Sequence, residues 1–245
     1  MFRLIGVLIL LFGFFAKNAG KRKMLQKKNL TDPALAQGEA CDMVRDIFRR
    51  MLRAAGVEVT VRGAENIPQD QPVLFVGNHR SYFDILAGYV STRGRLGFVA
   101  KMELSRFSLL KNWMELIDCV FIDRKDLKQS LKAILAAIKN VKDGISMWIF
   151  PEGTRNQGDI LDLAPFKDGS FKIAEKAKCP VIPVAITGTA EILEQHFPWI
   201  RPSKVTVTFG KPEYIADLPI NEQKQPGEHF REKVAAMLRE TEEKA

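Results

Sequence analysis

Cysteine and histidine are scarce in this sequence, and their placement excludes several kinds of site. Its 245 residues include three cysteines and three histidines. The cysteines are odd in number and far apart, which excludes a disulfide framework and is typical of buried, inert thiols in a reducing compartment. No two histidines have the spacing of metal ligands, so we expect neither a structural zinc site nor any other metal. The six residues are Cys41, Cys119, Cys179, His79, His196 and His229.

The chain also lacks a long apolar run and an even spread of charge. Its hydrophobic fraction of 46% and charged fraction of 27% exclude a disordered chain and a multi-span membrane protein. Of the net charge of +8, residues 1–60 carry +6, from eleven basic and five acidic side chains. Because the remainder is nearly neutral, we expect a local basic patch and no nucleic acid among the partners.

Residues 4–16 form the most apolar stretch, thirteen residues without a charge. As a helix this stretch would be about 20 Å long, shorter than the ~30 Å hydrocarbon core of a bilayer. The residues after it do not fit a signal-peptide cleavage site. Six basic residues follow without an acid among them, namely Lys17, Lys21, Arg22, Lys23, Lys27 and Lys28. We predict an uncleaved anchor that lies in one leaflet or spans with strain, on the cytoplasmic face of the cell membrane.

A second helix is predicted between the start signal Asp32-Pro33 and the stop signal Gly56. Apolar residues at helical spacing share one face, and basic residues lie mostly on the other. This face could pack on the rest of the protein, or it could join the first helix in docking to a membrane. We therefore divide the chain into an N-terminal anchor and amphipathic helix, residues 1–56, and a main domain, residues 57–245. The apolar residues are Ala40, Met43, Val44, Ile47, Phe48 and Met51.

After residue 56, short apolar strands alternate with helical patterns. This alternation predicts an α/β domain with a mixed, largely parallel sheet flanked by helices. The predicted strands are 57–61, 73–76, 97–100, 120–122, 145–150, 181–186 and 204–209. One helix is predicted to begin near residue 84, and four others are predicted at 103–116, 127–141, 170–178 and 230–238. Residues 219–227 are predicted to form a polar surface loop. In the helix at 127–141 the inward stripe is predicted to be Leu127, Leu131, Ile134, Leu135, Ile138 and Val141.

Polar clusters follow three of the apolar strands, where loops beyond strand ends commonly carry chemistry. In the first, His79 in a turn and Asp84 at a helix start allow the carboxylate to accept from one ring nitrogen. The other nitrogen would then be a base. Taken alone, this spacing also fits a solvated loop histidine.

The cluster after the 145–150 strand has the residue types of an anion-binding turn. Gly153 permits a tight backbone whose N–H groups face an anion. Arg155 adds a permanent positive charge, and Thr154 adds a hydroxyl donor. Glu152 is a poor anion ligand, so we expect it to orient Arg155 or the turn. Taken alone, these residues could equally form a salt-bridged surface turn.

Together, four blocks of sequence in order resemble the glycerolipid acyltransferase family, and most closely the bacterial 1-acyl-sn-glycerol-3-phosphate acyltransferases. The blocks are residues 78–84, residues 101–104 with 121–124, residues 150–155 and residues 181–185, within a core of 73–189. The chain departs from the family pattern at three positions. Ser108 replaces a frequent Pro, Asp118 a Gly and Asn156 a Ser.

The resemblance implies transfer of a fatty acyl group from a thioester to the sn-2 hydroxyl of a lysophosphatidate, giving phosphatidic acid for phospholipid biosynthesis. The donor would be acyl-CoA or acyl-acyl carrier protein, and no other cofactor is implied. His79 would be the general base and Asp84 its partner, without a covalent acyl-enzyme.

The resemblance also implies a phosphate site and leaves alternatives for the acceptor. Arg155, Lys101 and Arg124 would bind the acceptor's phosphate with Gly153 and Thr154, supported by Glu152 and Asn78. Glycerol-3-phosphate or another lysolipid could be the acceptor instead. The chain could also be a non-catalytic membrane lipid-binding protein.

Overall fold

Seven strands form one sheet in the order β1-β7-β6-β2-β5-β3-β4 in a computed structural model that describes residues 2–243. Within the described chain, β6 and β7 are antiparallel and every other neighbouring pair is parallel. This confirms the predicted mixed, largely parallel sheet. The strands are β1 Val57–Arg62, β2 Leu74–Gly77, β3 Leu96–Lys101, β4 Val120–Ile122, β5 Ser146–Ile149, β6 Val181–Thr187 and β7 Ser203–Phe209.

Helices cover both faces of the sheet because alternate strand residues point to opposite sides. The helices are α1 Phe2–Lys17, α2 Ala19–Lys28, α3 Pro33–Ala55, α4 Phe83–Val90, α5 Ser108–Leu116, α6 Leu127–Lys142, α7 Lys172–Ala177, α8 Ile220–Lys224 and α9 Pro226–Glu242. In β5, Trp148 faces one hydrophobic cluster with α3, α4 and α5, whereas Met147 and Ile149 face a second cluster with α6, α7 and α9.

Capping residues set the ends of the predicted helices. The Asp32 side chain accepts from Leu35 N at the start of α3, and Gly56 ends that helix with a φ of +77°. Two boundaries differ from the prediction. Residues 103–116 divide into a 3₁₀ turn, Met102–Arg106, and α5, with extended backbone at Phe107. The predicted loop 219–227 contains α8 and the start of α9.

The apolar face of α3 packs on the rest of the protein. Ile47 and Val44 are buried, and the Phe48 ring meets that of Tyr89 edge-on at 5.5 Å. Of the two interpretations of this helix, packing on the domain is confirmed, and its apolar face is not available to lipid.

Helix α1 is apolar on two faces. Val7 and Phe15 are buried in the cluster around α3, and the Phe14 ring packs 4.6 Å from that of Trp113. The opposite face exposes Phe2, Ile5, Leu8, Ile9 and Phe12. No single described helix is long and apolar enough to cross a membrane. Helices α1 and α2 pass that test as a pair, bent by 57° at their junction.

The predicted inward stripe of α6 is wrong at three leucines. Leu127, Leu131 and Leu135 are exposed, whereas the buried face is built on Ala133, Ala137, Ile138 and Val141. The small alanine side chains let the helix approach the sheet and α7 closely, which turns the leucines outward.

The cysteine prediction is confirmed. All three cysteines are free and buried. Burial raises the pKa of both Cys119 and Cys179 to about 12, so these thiols are neutral and unreactive near pH 7.

Candidate active site

The loops that follow β2 and β5 lie side by side at the carboxyl edge of the sheet, because those strands are parallel neighbours. His79 N donates to Glu152 Oε1 at 2.8 Å, and Asn156 N donates to His79 O at 2.7 Å. The His79 ring stacks on Phe150 with 4.1 Å between centroids. Two polar clusters separated by seventy residues thus form one hydrogen-bonded site.

His79 and Asp84 make the contact that their spacing predicts. His79 Nδ1 and Asp84 Oδ2 are 2.8 Å apart. The same carboxylate oxygen accepts from Arg80 N at 2.7 Å and from Ser81 N at 2.8 Å. These hydrogen bonds offset the free-energy cost of burying the Asp84 carboxylate, which is fully buried. No described residue hydrogen bonds His79 Nε2, so this nitrogen keeps its hydrogen-bonding capacity, and the side chain as a whole is 16% exposed.

Two further residues link this pair to β6 and to the segment that follows it. Asn78 is buried and exchanges two hydrogen bonds of 2.8 Å with the backbone of Ile186. Thr189 Oγ1 donates to Asp84 Oδ1 at 2.5 Å. Thr189 was missed by the sequence analysis. The sequence signal that could have identified it is a hydroxyl residue two positions after β6, which ends at the same edge of the sheet as β2.

Glu152 orients the turn rather than Arg155. Its Oε1 accepts from His79 N, and its Oε2 accepts from Ala164 N at 3.1 Å. Burial raises the pKa of this carboxyl. Of the two roles expected for Glu152, orienting the turn is the one that these contacts match.

Arg155 is held by a different carboxylate. Its Nη1 lies 3.1 Å from Glu194 Oε1, and its guanidinium lies 3.9 Å from the centre of the Tyr82 ring. Glu194 Oε1 also accepts from Tyr82 N at 3.0 Å. Arg155 therefore lies against the loop that carries the His79–Asp84 pair.

The other predicted phosphate ligands lie at the same edge. Gly153 has a φ of +84°, and a Cβ there would lie 3.0 Å from Arg124 Nη1 and 3.1 Å from Lys167 Nζ. Burial lowers the pKa of Arg124. Lys101 and Thr154 are exposed, Lys101 at the end of β3 beside β4. The structure thus brings Arg124 and Gly153 together and adds Lys167, which the sequence analysis did not identify.

This edge of the sheet thus carries a histidine, a buried carboxylate hydrogen-bonded to it and a group of cations. The family model described as Acyltransferase matches residues 58–187, more than half of the chain. The chain belongs to that acyltransferase family.

Relatives and a solved structure give a closer match. The probable 1-acyl-sn-glycerol-3-phosphate acyltransferase of Mycoplasma pneumoniae is 38% identical over 146 residues, 57% of this chain and 53% of that protein. The 1-acyl-sn-glycerol-3-phosphate acyltransferase of Borreliella burgdorferi is 33% identical over 60% of this chain and 58% of its own. The chain thus matches a little over half the length of these relatives. The crystal structure of the 1-acyl-sn-glycerophosphate (LPA) acyltransferase PlsC from Thermotoga maritima matches 98% of both chains, with a TM-score of 0.73 and 25% identity. The resemblance to bacterial members of this family is confirmed.

Proposed function

We propose that this protein transfers a fatty acyl group from a thioester to the sn-2 hydroxyl of 1-acyl-sn-glycerol-3-phosphate, giving phosphatidic acid. The observation that carries the proposal is the His79–Asp84 hydrogen bond at 2.8 Å, which leaves Nε2 of the ring without a partner in the described chain. The names of the relatives and the similarity to PlsC along nearly the whole chain support it. The donor is acyl-CoA or acyl-acyl carrier protein.

His79 acts as a general base in this mechanism. As the acceptor hydroxyl attacks the thioester carbonyl, Nε2 takes its proton, and the Asp84 carboxylate stabilises the imidazolium that forms. The carbon–sulfur bond then breaks, and the imidazolium returns the proton to the departing thiolate, which leaves as the free thiol of the donor carrier. Asp84 is held by the backbone of two loop residues and by Thr189, so the ring is oriented before the acceptor binds. The attack is direct, without an acyl-enzyme, in keeping with the burial of all three thiols.

The acceptor's phosphate binds among the cations at the carboxyl edge. Arg124 and Gly153 lie in contact distance of each other, with Lys101, Thr154 and Arg155 around them. Within the described chain one of the five N–H groups of Arg155 is used, by Glu194, which leaves donors for a phosphate oxygen. Holding the phosphate places the hydroxyl near His79.

The protein works on the cytoplasmic face of the membrane, where its acceptor and product reside. The exposed apolar side chains of α1 would enter the lipid, and the basic residues 17–28 would meet anionic headgroups. The buried face of α1 holds the anchor against α3.

Replacement of His79 tests the proposal. We expect His79→Ala to lower kcat at least ~10²-fold, since a general base contributes about 10²–10⁴-fold. His196→Ala, outside the site, is the matched control and should retain activity. The assay supplies lysophosphatidate, glycerol-3-phosphate and an uncharged lysolipid with each donor. Transfer to lysophosphatidate at the highest kcat/KM supports the proposal. Activity retained in folded His79→Ala, or no transfer at all, would contradict it.

A further inference from the structure

Two cations of the site converge on one glycine, and neither forms an ion pair within the described chain. Arg124 Nη1 and Lys167 Nζ are 3.0 Å and 3.1 Å from the same Cβ position on Gly153. Neither side chain forms an ion pair or hydrogen bond with a described residue. The carboxylate that acts on Arg124 through space is that of Glu103. Like charges placed together repel unless an anion lies between them.

The other arginines at this edge differ in this respect. Arg155 is paired with Glu194, and Arg80 Nη1 donates to Gly158 O at 2.6 Å. Their guanidinium groups therefore have internal partners that fix the loops. In contrast, the side chains of Arg124 and Lys167 donate no hydrogen bond within the described chain, so their full hydrogen-bonding capacity is available to a ligand.

The backbone fixes Lys167 against the turn that follows β5. Lys167 N donates to Pro151 O at 3.2 Å, and the neighbouring Phe166 is buried. Upstream, Ala164 N donates to Glu152 Oε2, whose other oxygen accepts from His79 N. The segment that carries Lys167 is thus tied through Glu152 to the loop that carries the base.

We propose that Lys167 and Arg124 together bind the phosphate monoester of the acceptor above Gly153, and that Lys167 is a specificity-determining residue for phosphorylated acceptors. This inference rests on the proposed function. Residue 153 must be glycine here, because any side chain would occupy the space between the two cations. A phosphate there would neutralise both charges and place the acceptor next to the loop of His79.

Steady-state kinetics of Lys167→Gln tests the inference, with Lys172→Gln as the matched control. Lys172 is an exposed lysine five residues away that pairs with Glu175. We expect Lys167→Gln to raise the KM for lysophosphatidate about tenfold to a hundredfold. The KM of Lys167→Gln for the donor should change by less than roughly twofold. The control Lys172→Gln should have the same KM values as the wild type. Lys167→Arg, which keeps the charge, should restore most of the affinity.

An acceptor without phosphate separates recognition from structural damage. With a monoacylglycerol as acceptor, Lys167→Gln and the wild type should have the same low kcat/KM. A loss of activity on both acceptors would overturn the inference, because it would show a general structural defect. A rise in the donor KM alone would also overturn it, since the phosphate bound by Lys167 would then belong to the donor.

Calorimetric titration with inorganic phosphate keeps the inference testable if the proposed function fails. If the wild type transfers no acyl group to lysophosphatidate, binding of inorganic phosphate decides the matter. Binding that is lost in Lys167→Gln and kept in Lys172→Gln supports an anion site at Gly153. Equal binding by all three proteins overturns it.

Discussion

The carboxylate of Asp84 accepts four hydrogen bonds, and the one from Thr189 comes from the most distant part of the chain. Backbone groups supply two of the others, and His79 supplies the last. Thr189 does not belong to the loop that carries His79 and Asp84, yet it donates to the Asp84 oxygen that the backbone leaves free. In the proposed mechanism it is a positioning residue that acts on His79 through Asp84.

Replacing Thr189 by Val should lower kcat about tenfold or more and leave the KM for both substrates nearly unchanged. The substitution leaves Asp84 Oδ1 buried without its donor, at a cost of about 1.5–3 kcal/mol for a hydrogen bond to a charged group. Steady-state kinetics with lysophosphatidate measures the effect. Thr189→Ser keeps the hydroxyl and should keep most of the activity. If Val and Ser lower kcat equally, the hydroxyl has no part in positioning.

Asp118 lies in the turn that connects α5 to β4 and combines two unfavourable features. Its φ is +59°, a left-handed conformation that favours glycine. Its side chain is 6% exposed, 3.7 Å from Arg95 Nη2. Burial outweighs that attraction and raises the pKa of the carboxyl to about 6. Glycine at this position would suit the backbone and avoid burying a charge.

Asp118→Asn should stabilise the protein at neutral pH and have little effect near pH 4. Because the carboxyl has a higher pKa in the folded state than when unfolded, stability falls as pH rises from about 4 to about 6. Above that range the loss is about 3 kcal/mol. Asparagine removes the charge and tolerates the left-handed backbone. Urea unfolding at pH 4 and pH 8 measures the difference. Asp70→Asn, an exposed acid, is the control, and an equal gain at both pH values would refute the electrostatic explanation.

At the scale of elements, α1 and α6 both carry exposed apolar side chains but lie on different sides of the molecule. Both expose leucine, isoleucine or phenylalanine, but the two helices belong to the clusters on opposite faces of the sheet. A flat lipid surface that covers the exposed face of α1 therefore meets α1 and α2 before it meets α6. The proposed membrane-binding role is therefore assigned to α1.

Triple replacement of Ile5, Ile9 and Phe12 by Gln should release the protein from anionic vesicles at raised salt. Each side chain contributes about 1.5–3 kcal/mol when it is buried in lipid, whereas the basic residues are screened. Deletion of residues 1–30 is a poorer test, because Leu25 is fully buried in the core. Vesicle flotation measures binding, and thermal unfolding confirms the fold. Replacing Leu127, Leu131 and Leu135 by Gln is the control. Release by the control alone would assign the membrane contact to α6.

At the scale of the whole molecule, local sequence patterns predicted most helices and strands. Contacts between segments far apart in the sequence have no such local pattern. Helix α3 was predicted from Asp32 to Gly56 because its caps lie in the sequence. The buried face of α6 could not be predicted, because alanine packing on α7 decides it. Likewise the His79–Asp84 contact follows from a spacing of five residues. The contribution of Lys167 depends on how residues 164–167 return to the turn after β5.

The pairing of the first strand with the last limits how much of the sheet can form while the chain is being synthesised. Strand β1 pairs with β7 in the described chain, with Val57 opposite Ser203. The helices that precede β1 emerge first, and domains generally acquire structure in the order of synthesis. Residues 57–62 must then wait as an unpaired edge until residues 203–209 have been made, a long-range pairing that slows folding. Helix α1 is therefore complete while the sheet to which it will be joined is still unfinished. Strand β1 can enter the sheet only when β7, which lies between β1 and β6, has been made.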